Sequence, residues 1–184
     1  PDGTIKSRIF FVNDVRNGFH EEYENGILIR KTNYKDDVVN GLDEIFRSDG
    51  SIEKRGYYIN QVYNGSYEWF GPDGNLTERT NIVNGKFHGL HEWFGHPNGA
   101  LSQKAIYKNG KQNGLEEFFR PDGSLESRAM MVNGLYHGEY ELFSHSDGSL
   151  SQKTFYKNGF EDGLRENFHP DGTIKSRIFF VNDV

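Results

Sequence analysis

Histidine is the first residue type in this sequence that we consider as a metal ligand. His88, His91 and His96 lie close together, as the ligands of a zinc site often do. A zinc site needs several converging ligands, however, and His88 and His137 fill a position where other segments carry Asn or Asp. A polar turn position accounts for these two histidines, so we expect no zinc site.

Aspartate is the second such residue type, and it recurs in Asp-Gly turns such as Asp122-Gly123 and Asp171-Gly172. Calcium takes about six to eight oxygen ligands, and one carboxylate per turn is too few. Turn formation alone explains these aspartates, because Asp and Gly are common turn residues. We therefore expect neither a metal nor another cofactor.

Glutamate recurs at one position of a repeated pattern, seven times along the chain. Catalytic carboxylates normally form a single pair whose environments push their two pKa values apart. A glutamate column predicts a structural role instead. The sequence has no cysteine, no glycine-rich phosphate loop and no nucleophile-elbow motif. We expect that the protein is not an enzyme.

Composition narrows the classes of partner. The chain has 184 residues and a formal net charge of −6, whereas a nucleic-acid-binding surface is usually basic. No apolar stretch is long enough to cross a membrane. The 22 glycines, 15 phenylalanines and 10 tyrosines are typical of tight turns joining pleated strands. The composition therefore predicts an all-β protein that binds no nucleic acid.

The elements that position these residues form a tandem repeat of about 24 residues. Each unit begins near an Asp-Gly-like turn, and the turn glycines are Gly3, Gly26, Gly50, Gly74, Gly99, Gly123, Gly148 and Gly172. The predicted units of this single array are 1–23, 24–46, 47–70, 71–94, 95–119, 120–143, 144–168 and, in part, 169–184.

The unit 120–143 shows the predicted local structure. A turn at Pro121–Ser124 precedes a strand from Leu125 to Val132, and a second turn at Asn133-Gly134 leads to a strand that ends at Phe143. One hairpin cannot bury an apolar face by itself, so it needs similar neighbours. We predict an elongated meander of seven to eight antiparallel hairpins in one twisted sheet. One core column holds Leu or Ile, and a second holds large apolar or aromatic residues, namely Phe11, Tyr34, Tyr58, Ile82, Tyr107, Met131, Tyr156 and Phe180.

Charged residues form two columns, one basic and one of glutamate. Counting outward from each Asp-Gly turn places a glutamate opposite a basic residue, and predicts that Glu21 opposes Arg30. The other predicted pairs are Glu44–Arg55, Glu68–Arg79, Glu92–Lys104, Glu117–Arg128, Glu141–Lys153 and Glu166–Arg177. We interpret them as a ladder with one rung per repeat junction, which would specify the register of the strands.

The aromatic residue that ends each unit presents a geometric problem. A strict two-residue turn places it on the face of the basic column, opposite the Leu and Tyr columns. Either both faces are partly apolar, or a β-bulge near the turn re-aims one strand.

Apolar residues near these strand ends are the candidate binding site. They form a stripe in the middle units that comprises Ile45, Tyr67, Trp69, Trp93, Phe118, Tyr140 and Leu142. Packing within the sheet is one interpretation, because large apolar residues are usually buried. Docking of a partner is the other, because aromatic residues that are exposed together mark interfaces.

The segment Asn109–Arg128 reads Asn-Gly-x-x-x-Gly-Leu-x-Glu-x-Phe-x-Pro-Asp-Gly-x-Leu-x-x-Arg, and Phe160–Arg177 and Gly85–Lys104 follow it closely. This pattern resembles the MORN repeat, in particular its bacterial variant. The first two units depart from it, since Asp14 and Asp37 replace the turn glycine. The resemblance implies antiparallel hairpins in an elongated, curved, single-layer sheet. It also implies a role as a scaffold, an interaction module or a membrane-associated module.

Residues 1–15 recur without change at 170–184. A superrepeat of a longer array, a duplication or an engineered cap would each explain this identity. We expect an excerpt of a longer array, and hence a rigid segment of a bacterial surface or extracellular fibre that associates with itself or continues as the same array. The alternative is a scaffold that binds a protein, or less readily a lipid, through the aromatic stripe.

Overall fold

The computed structural model describes residues 5–181, and these residues form only β-strands, turns and short connections. The fifteen strands belong to one open antiparallel sheet, in which their order is their order in the chain. The predicted all-β meander of hairpins is therefore confirmed. Within residues 5–181, no helix is long and apolar enough to span a membrane. The predicted turns at Gly3 and Asn182-Asp183 lie outside the described residues.

The chain divides into two compact units, residues 1–87 and 88–184. The strands that begin in the first unit are β1 (Ser7–Val12), β2 (Val15–Glu24), β3 (Ile27–Lys35), β4 (Val38–Phe46), β5 (Ile52–Ile59), β6 (Val62–Phe70), β7 (Leu76–Val83) and β8 (Lys86–Trp93). The second unit holds most of β8 and then β9 (Gln103–Lys108), β10 (Lys111–Phe119), β11 (Leu125–Val132), β12 (Leu135–Phe143), β13 (Leu150–Lys157), β14 (Phe160–Phe168) and β15 (Ile174–Phe180).

The Asn-Gly turns close the hairpins as the sequence predicts. Asn133 and Gly134 both have positive φ, 54° and 85°, which two-residue hairpin turns of this hand require. Several of these turns are also bonded to the hairpin before them within their own unit. The N–H of Gly134 donates to the carbonyl oxygen of Gln112 at 2.8 Å, and that of Asp37 donates to Arg16 at 3.0 Å. Neighbouring hairpins are thus bonded at their turns as well as along their strands.

A register shift lies just before the closing aromatic residue of β2, β4, β6, β10, β12 and β14. In the second unit, Glu117 opposes Arg128 and Phe118 opposes Ser127, but Phe119 opposes Leu125. One residue of β11 is therefore extra, as in a β-bulge. Phe119 nevertheless lies on the basic face, since the Lys104 ammonium is 5.1 Å from its ring centroid. The bulge and the partly apolar basic face are both present, so the two solutions to the geometric problem coexist.

The most buried column consists of small residues, which the sequence reasoning did not select. Gly56, Thr80, Ala105 and Ala129 are buried, and each stands at the same position of its repeat. Of the predicted core columns, Ile82 and Met131 are buried, but most members are half-buried and Phe11 is exposed. The two predicted columns therefore supply only part of the core, and the column of small residues supplies its most buried part. In a single sheet, small residues lie close to the backbone and are covered by larger side chains on the neighbouring strands.

Candidate binding surfaces

The aromatic stripe of the first unit packs on its own sheet. Tyr67 is 6% exposed, and its ring centroid lies 4.2 Å from that of Trp69 and 4.8 Å from that of Tyr63. Tyr63 in turn lies 3.9 Å from Tyr58. Ile45 and Trp69 are half-buried. These four rings form a contiguous layer on the face that we call the aromatic face.

Gly56 explains how Tyr67 lies so close to the sheet. The two residues oppose each other across β5 and β6, and a Cβ built at Gly56 would overlap the Tyr67 ring. In the second unit Ala105 opposes His91, and Ala129 opposes both Glu116 and Tyr140. Small residues therefore alternate with large ones across the strands, and the large side chains cover the small ones.

The stripe of the second unit is also in contact with neighbouring rings. Trp93 stacks on the buried His91 with the ring centroids 3.7 Å apart. Tyr140 lies 5.8 Å from Tyr136 and 6.1 Å from Tyr156. Phe118 and Leu142 are half-buried. No stripe residue in either unit belongs to the exposed large apolar residues of the described chain. This geometry favours packing over docking for the stripe.

Buried carboxylates lie between these rings, and the sequence reasoning did not identify them. Asp43 is 2% exposed, and its Oδ1 accepts hydrogen bonds from Thr32 Oγ1 at 2.6 Å and Arg30 Nε at 2.9 Å. The hydroxyl of Tyr63 donates to Oδ2 at 3.3 Å. Burial raises the pKa of Tyr63, and the hydroxyl therefore remains a donor over the physiological range. These bonds satisfy both oxygens of the Asp43 carboxylate.

Glu116 occupies the corresponding place in the second unit. It is buried, and its Oε1 accepts from Gln103 at 2.8 Å and from Gln112 at 2.7 Å. Asp43 and Glu116 stand at the same repeat position as Tyr67, His91 and Tyr140. The sequence signal was a column of large residues opposite a column of small ones. This contrast in size could have identified both the buried column and its cover.

The structure places the predicted charged pairs opposite each other. The pairs Glu44–Arg55, Glu68–Arg79, Glu92–Lys104, Glu117–Arg128, Glu141–Lys153 and Glu166–Arg177 are all in register. The predicted opposition of Glu21 and Arg30 is wrong, because Glu21 opposes Lys31 and Glu22 opposes Arg30. The turn at Asn25-Gly26 is shorter, and the bulge after it shifts the register by one residue.

Opposite charges face each other across every strand pair of the row, whereas the predicted ladder paired them only across the Asp-Gly turns. Within the second unit Glu117 opposes Arg128 of β11, and Arg128 also opposes Glu141 of β12. The same alternation runs from Lys104 to Arg177, and in the first unit from Arg8 to Arg79. We call this arrangement the charge row. Each inner member has an opposite charge on both neighbouring strands.

Ion pairs along the charge row form mostly within hairpins. Arg55 bonds Glu68 at 2.6 Å and Lys104 bonds Glu117 at 2.9 Å, while Arg128 pairs with Glu141. Arg177 instead bonds Glu166 across the Asp-Gly turn at 2.8 Å, as predicted for a rung. Lys153 Nζ lies 2.7 Å from Glu139 Oε1, and Glu139 is not a member of the charge row. The predicted partners therefore lie opposite, but the side chains often turn to the other neighbour.

Arginine side chains link consecutive Asp-Gly turns by hydrogen bonds to backbone carbonyl oxygens. The Arg120 guanidinium is buried and donates to the carbonyl oxygen of Leu125 at 2.7 Å and to that of Phe143 in the following hairpin. Arg47 does the same for Ile52 and Phe70. His96 Nε2 lies 2.6 Å from the carbonyl oxygen of Phe119. Consecutive turns are thus linked by Arg47 and Arg120, which directly follow a closing aromatic, and by His96, which lies two residues after one. Sequence reasoning did not assign this role.

Each turn aspartate is engaged by its own turn. Asp122 Oδ1 accepts from Ser124 Oγ at 2.7 Å and from the Ser124 N–H at 2.9 Å. These two bonds hold the pKa of Asp122 below its ordinary value. Among residues 5–181 no three His, Asp or Glu side chains cluster as a metal site would require. The turn aspartates are placed as turn-forming residues.

Exposed apolar residues lie on the opposite face, beside the charge row. In the second unit Leu115 opposes Met130, and Met130 is 45% exposed. Phe155 is also exposed and follows two residues after Lys153. In the first unit Phe19 and Tyr57 are exposed at equivalent positions. The open apolar surface is therefore not the predicted stripe.

Comparison with known proteins identifies the repeat. Residues 21–36 and 161–182 match the family described as "MORN repeat variant". No curated protein matches this sequence. One solved structure with some similarity is a TarM mutant of S. aureus in complex with Fondaparinux, alpha-GlcNAc-glycerol and UDP. It is 13% identical with a TM-score of 0.36, over 59% of this chain and 21% of that one, which is too little to support an argument.

Proposed function

Given that this chain belongs to the MORN-repeat family, we propose that it is a rigid, non-catalytic segment of a bacterial surface or extracellular fibre. Its repeated β-hairpins make it a structural repeat scaffold. The fibre is the finer assignment, and it accounts for an array in which every hairpin is bonded to the next.

The observation that carries the proposal is how the polar groups are used. Glu117, Arg128 and Glu141 lie in a row that links three successive strands, and Arg120 bonds the turn after its own. The opposed charges recur in every repeat of the row in each unit, and Arg47 makes the same turn contact in the first unit. A catalytic site requires a unique arrangement of groups, whereas a repeat scaffold forms the same contacts between neighbouring units many times. The recurrence therefore supports a structural role.

The identity of residues 1–15 and 170–184 supports a long assembly. Other units share only the pattern of turn, apolar and charged positions. A repeat protein whose units contact only their neighbours can be extended without limit, because each added unit forms the same interface. A superrepeat of this kind would generate a fibre.

Electron microscopy of the native material tests the proposal. Gold-labelled antibodies raised against this chain should decorate filaments, at intervals set by the superrepeat. Antibodies against an unrelated surface protein of the same cells provide the control. Labelling of discrete particles, with no filament in the same fields, would contradict the fibre.

A protein-binding scaffold is the second candidate, and the exposed apolar residues beside the charge row favour it. Leu115 and Met130 form such a patch in the second unit. Lipid is the less favoured partner, because anionic headgroups attract basic clusters and the net charge is −6. Sedimentation with anionic liposomes separates these partners. The chain should remain in the supernatant, and co-sedimentation would favour a membrane-binding scaffold.

A further inference from the structure

One turn of the first unit is shorter than the Asp-Gly turns that follow it. Two residues lie between Tyr23 and Gly26, whereas at least three lie between each later closing aromatic residue and its turn glycine. The residue after Tyr23 is Glu24, and its counterparts in two later repeats are Arg47 and Arg120. The short turn thus carries a carboxylate at a position where these repeats carry a guanidinium.

An arginine at this position bonds two backbone carbonyl oxygens. Arg47 donates to the carbonyl oxygen of Ile52 at 2.8 Å and to that of Phe70 in the next hairpin. By position in the repeat, the counterparts of these two acceptors are Leu28 and Phe46. In the part of the chain that the structure describes, no side chain donates to either of those carbonyl oxygens. The backbone acceptors of a guanidinium are therefore present beside the short turn, but no arginine of this chain bonds them.

An open cavity lies beside the same turn. Its volume is 390 Å³, and it extends from the turn at Asn25 to the end of β4 at Phe46. Ile27, Ile29 and Ile45 supply apolar surface to its lining. Ligand sites are typically clefts of about 300–1,000 Å³ that combine apolar walls with a few polar groups. The cavity has the size and the lining of such a site.

The charge of the cavity is negative. Glu22 and Glu24 line it, and neither carboxylate forms an ion pair with a cation of the described chain. Arg30 also lines the cavity, but its guanidinium bonds the buried Asp43 carboxylate at 2.9 Å. Three carboxylates and one guanidinium leave an excess of negative charge, and the cavity therefore favours a cationic ligand.

We propose that this cavity binds the arginine side chain of a partner protein. The guanidinium takes the place that Arg47 has in its own repeat. Its planar fork bonds the Phe46 carbonyl oxygen and the Glu24 carboxylate together, a geometry that a lysine ammonium does not reproduce. Its methylene stem packs on Ile29 and Ile45. The inference goes beyond the proposed structural role and does not depend on it.

The rim of the cavity favours a protein segment over free arginine as the occupant. Ile27 lines the cavity and is 37% exposed, so the residues that flank a bound arginine can cover it. Free arginine has no such residues. It also brings its own α-carboxylate close to Glu22 and Glu24, and like charges repel.

NMR titration of the isotope-labelled chain tests the proposal. The probe is an acetylated and amidated Gly-Leu-Arg-Leu-Gly peptide, and amide resonances of residues 22–30 and 45–48 should shift. The same peptide with citrulline, which has the shape of arginine without its charge, should cause no such shifts. The lysine peptide should bind about tenfold more weakly. Equal binding of the lysine or citrulline peptide would overturn the proposal, and equal binding of free arginine would exclude a protein segment as the specific occupant.

Substitutions in the cavity provide a second test. Glu24→Arg should eliminate peptide binding, because the new side chain carries its own guanidinium to the Phe46 carbonyl oxygen. The matched control is Glu126→Arg, which makes the same charge change at an exposed glutamate of the second unit and should bind as the original chain does.

A conservative variant separates loss of binding from loss of folding. Glu22→Gln combined with Glu24→Gln keeps the size of both side chains and should raise the dissociation constant about tenfold, because two charge-assisted contacts are lost. Circular dichroism confirms that each variant is folded. Unchanged affinity in the glutamine variant, or in a folded Glu24→Arg chain, would overturn the proposal.

Discussion

Single residues determine how closely the side chains of the aromatic face approach the sheet. Gly56 has no side chain, and the Tyr67 ring lies over it. Its φ is not in the left-handed region, so alanine is compatible with the backbone there. At the repeat position after each second-strand turn the requirement differs, because Gly114 has a φ of 135° and faces the Ile106 Cβ. One glycine thus provides space, and the other provides both space and a special backbone angle.

Gly56→Ala should destabilise the first unit. The added methyl would overlap Tyr67, and overpacking costs about 1–3 kcal/mol. Alanine also restricts the unfolded chain more than glycine does, and this effect stabilises the folded state by only about 0.4–1 kcal/mol. The net fall in the free energy of unfolding should therefore be about 1–2 kcal/mol by urea titration. In a Tyr67→Ala background the same change should cost little, and an equal cost in both backgrounds would contradict the packing that we describe.

Arg120→Lys tests the link between consecutive turns. Lysine cannot reproduce the fork that bonds two carbonyl oxygens, so the variant should lose about 1–3 kcal/mol of unfolding free energy. Arg128→Lys is the matched control, because its exposed ion pair should cost about 1 kcal/mol or less. Thermal unfolding of both variants measures the difference. Equal effects would show that the Arg120 link contributes nothing special.

At the scale of elements, strands are joined by a row of charges and by bonded turns. The ladder interpretation treats each glutamate and its partner as an isolated rung. In the structure Glu117 has Lys104 on one side and Arg128 on the other. An exposed pair contributes only about 0.2–1 kcal/mol. The alternation therefore has its main effect on register. A slipped strand would lose the opposed charges along the whole row.

Exchanging the charges of one pair distinguishes a row from isolated rungs. In a Glu117→Arg, Arg128→Glu variant the pair is kept, but each member now faces a like charge on its other side. Two like-charged pairs should cost about 0.5–2 kcal/mol. The cost should decrease in high salt, because exposed charges are screened. Unfolding titrations at low and high salt measure it, and a neutral exchange would favour isolated rungs.

The Asp-Gly turns predict a loss of stability in acid. Bonds from the Ser124 hydroxyl and N–H lower the pKa of Asp122 in the folded chain, and Asp171 is lowered similarly by Thr173. Their contribution is complete above the unfolded pKa of about 3.9, and it is lost as the pH falls through the lower folded pKa. Unfolding midpoints should therefore fall below about pH 4.

A matched control for the acid effect exists in the chain itself. Asn98 holds the equivalent turn, and its Oδ1 accepts from the Ala100 N–H at 3.1 Å without titrating. Asp122→Asn should accordingly leave stability near neutral pH almost unchanged and reduce the fall in acid. A variant with the same acid profile as the original chain would contradict this role of Asp122.

At the scale of the whole molecule, stability is a sum over neighbouring hairpins. Deleting residues 120–143 removes one hairpin and should leave a folded chain, with Glu117 opposite Lys153 in place of Arg128. The denaturant m-value should fall roughly in proportion to the surface lost. Deleting 120–132 removes one strand and reverses the direction of all later strands, so it should abolish cooperative unfolding. Circular dichroism with urea titration compares the two deletions, and equal outcomes would contradict nearest-neighbour stability.

The sequence by itself determined the repeat, the hairpins, the strand order and most of the register. These follow from local rules, because Asn-Gly and Asp-Gly turns and a side-chain period of two act over a few residues. The bulges before Phe119 and Phe46, and the shifted register at Glu21, depend on how each turn meets the next strand. Side-chain packing and the choice of ion-pair partner depend on both neighbouring strands at once. Only the tertiary structure decided that the stripe packs on small residues and that Arg128 pairs with Glu141 although Glu117 is also opposite.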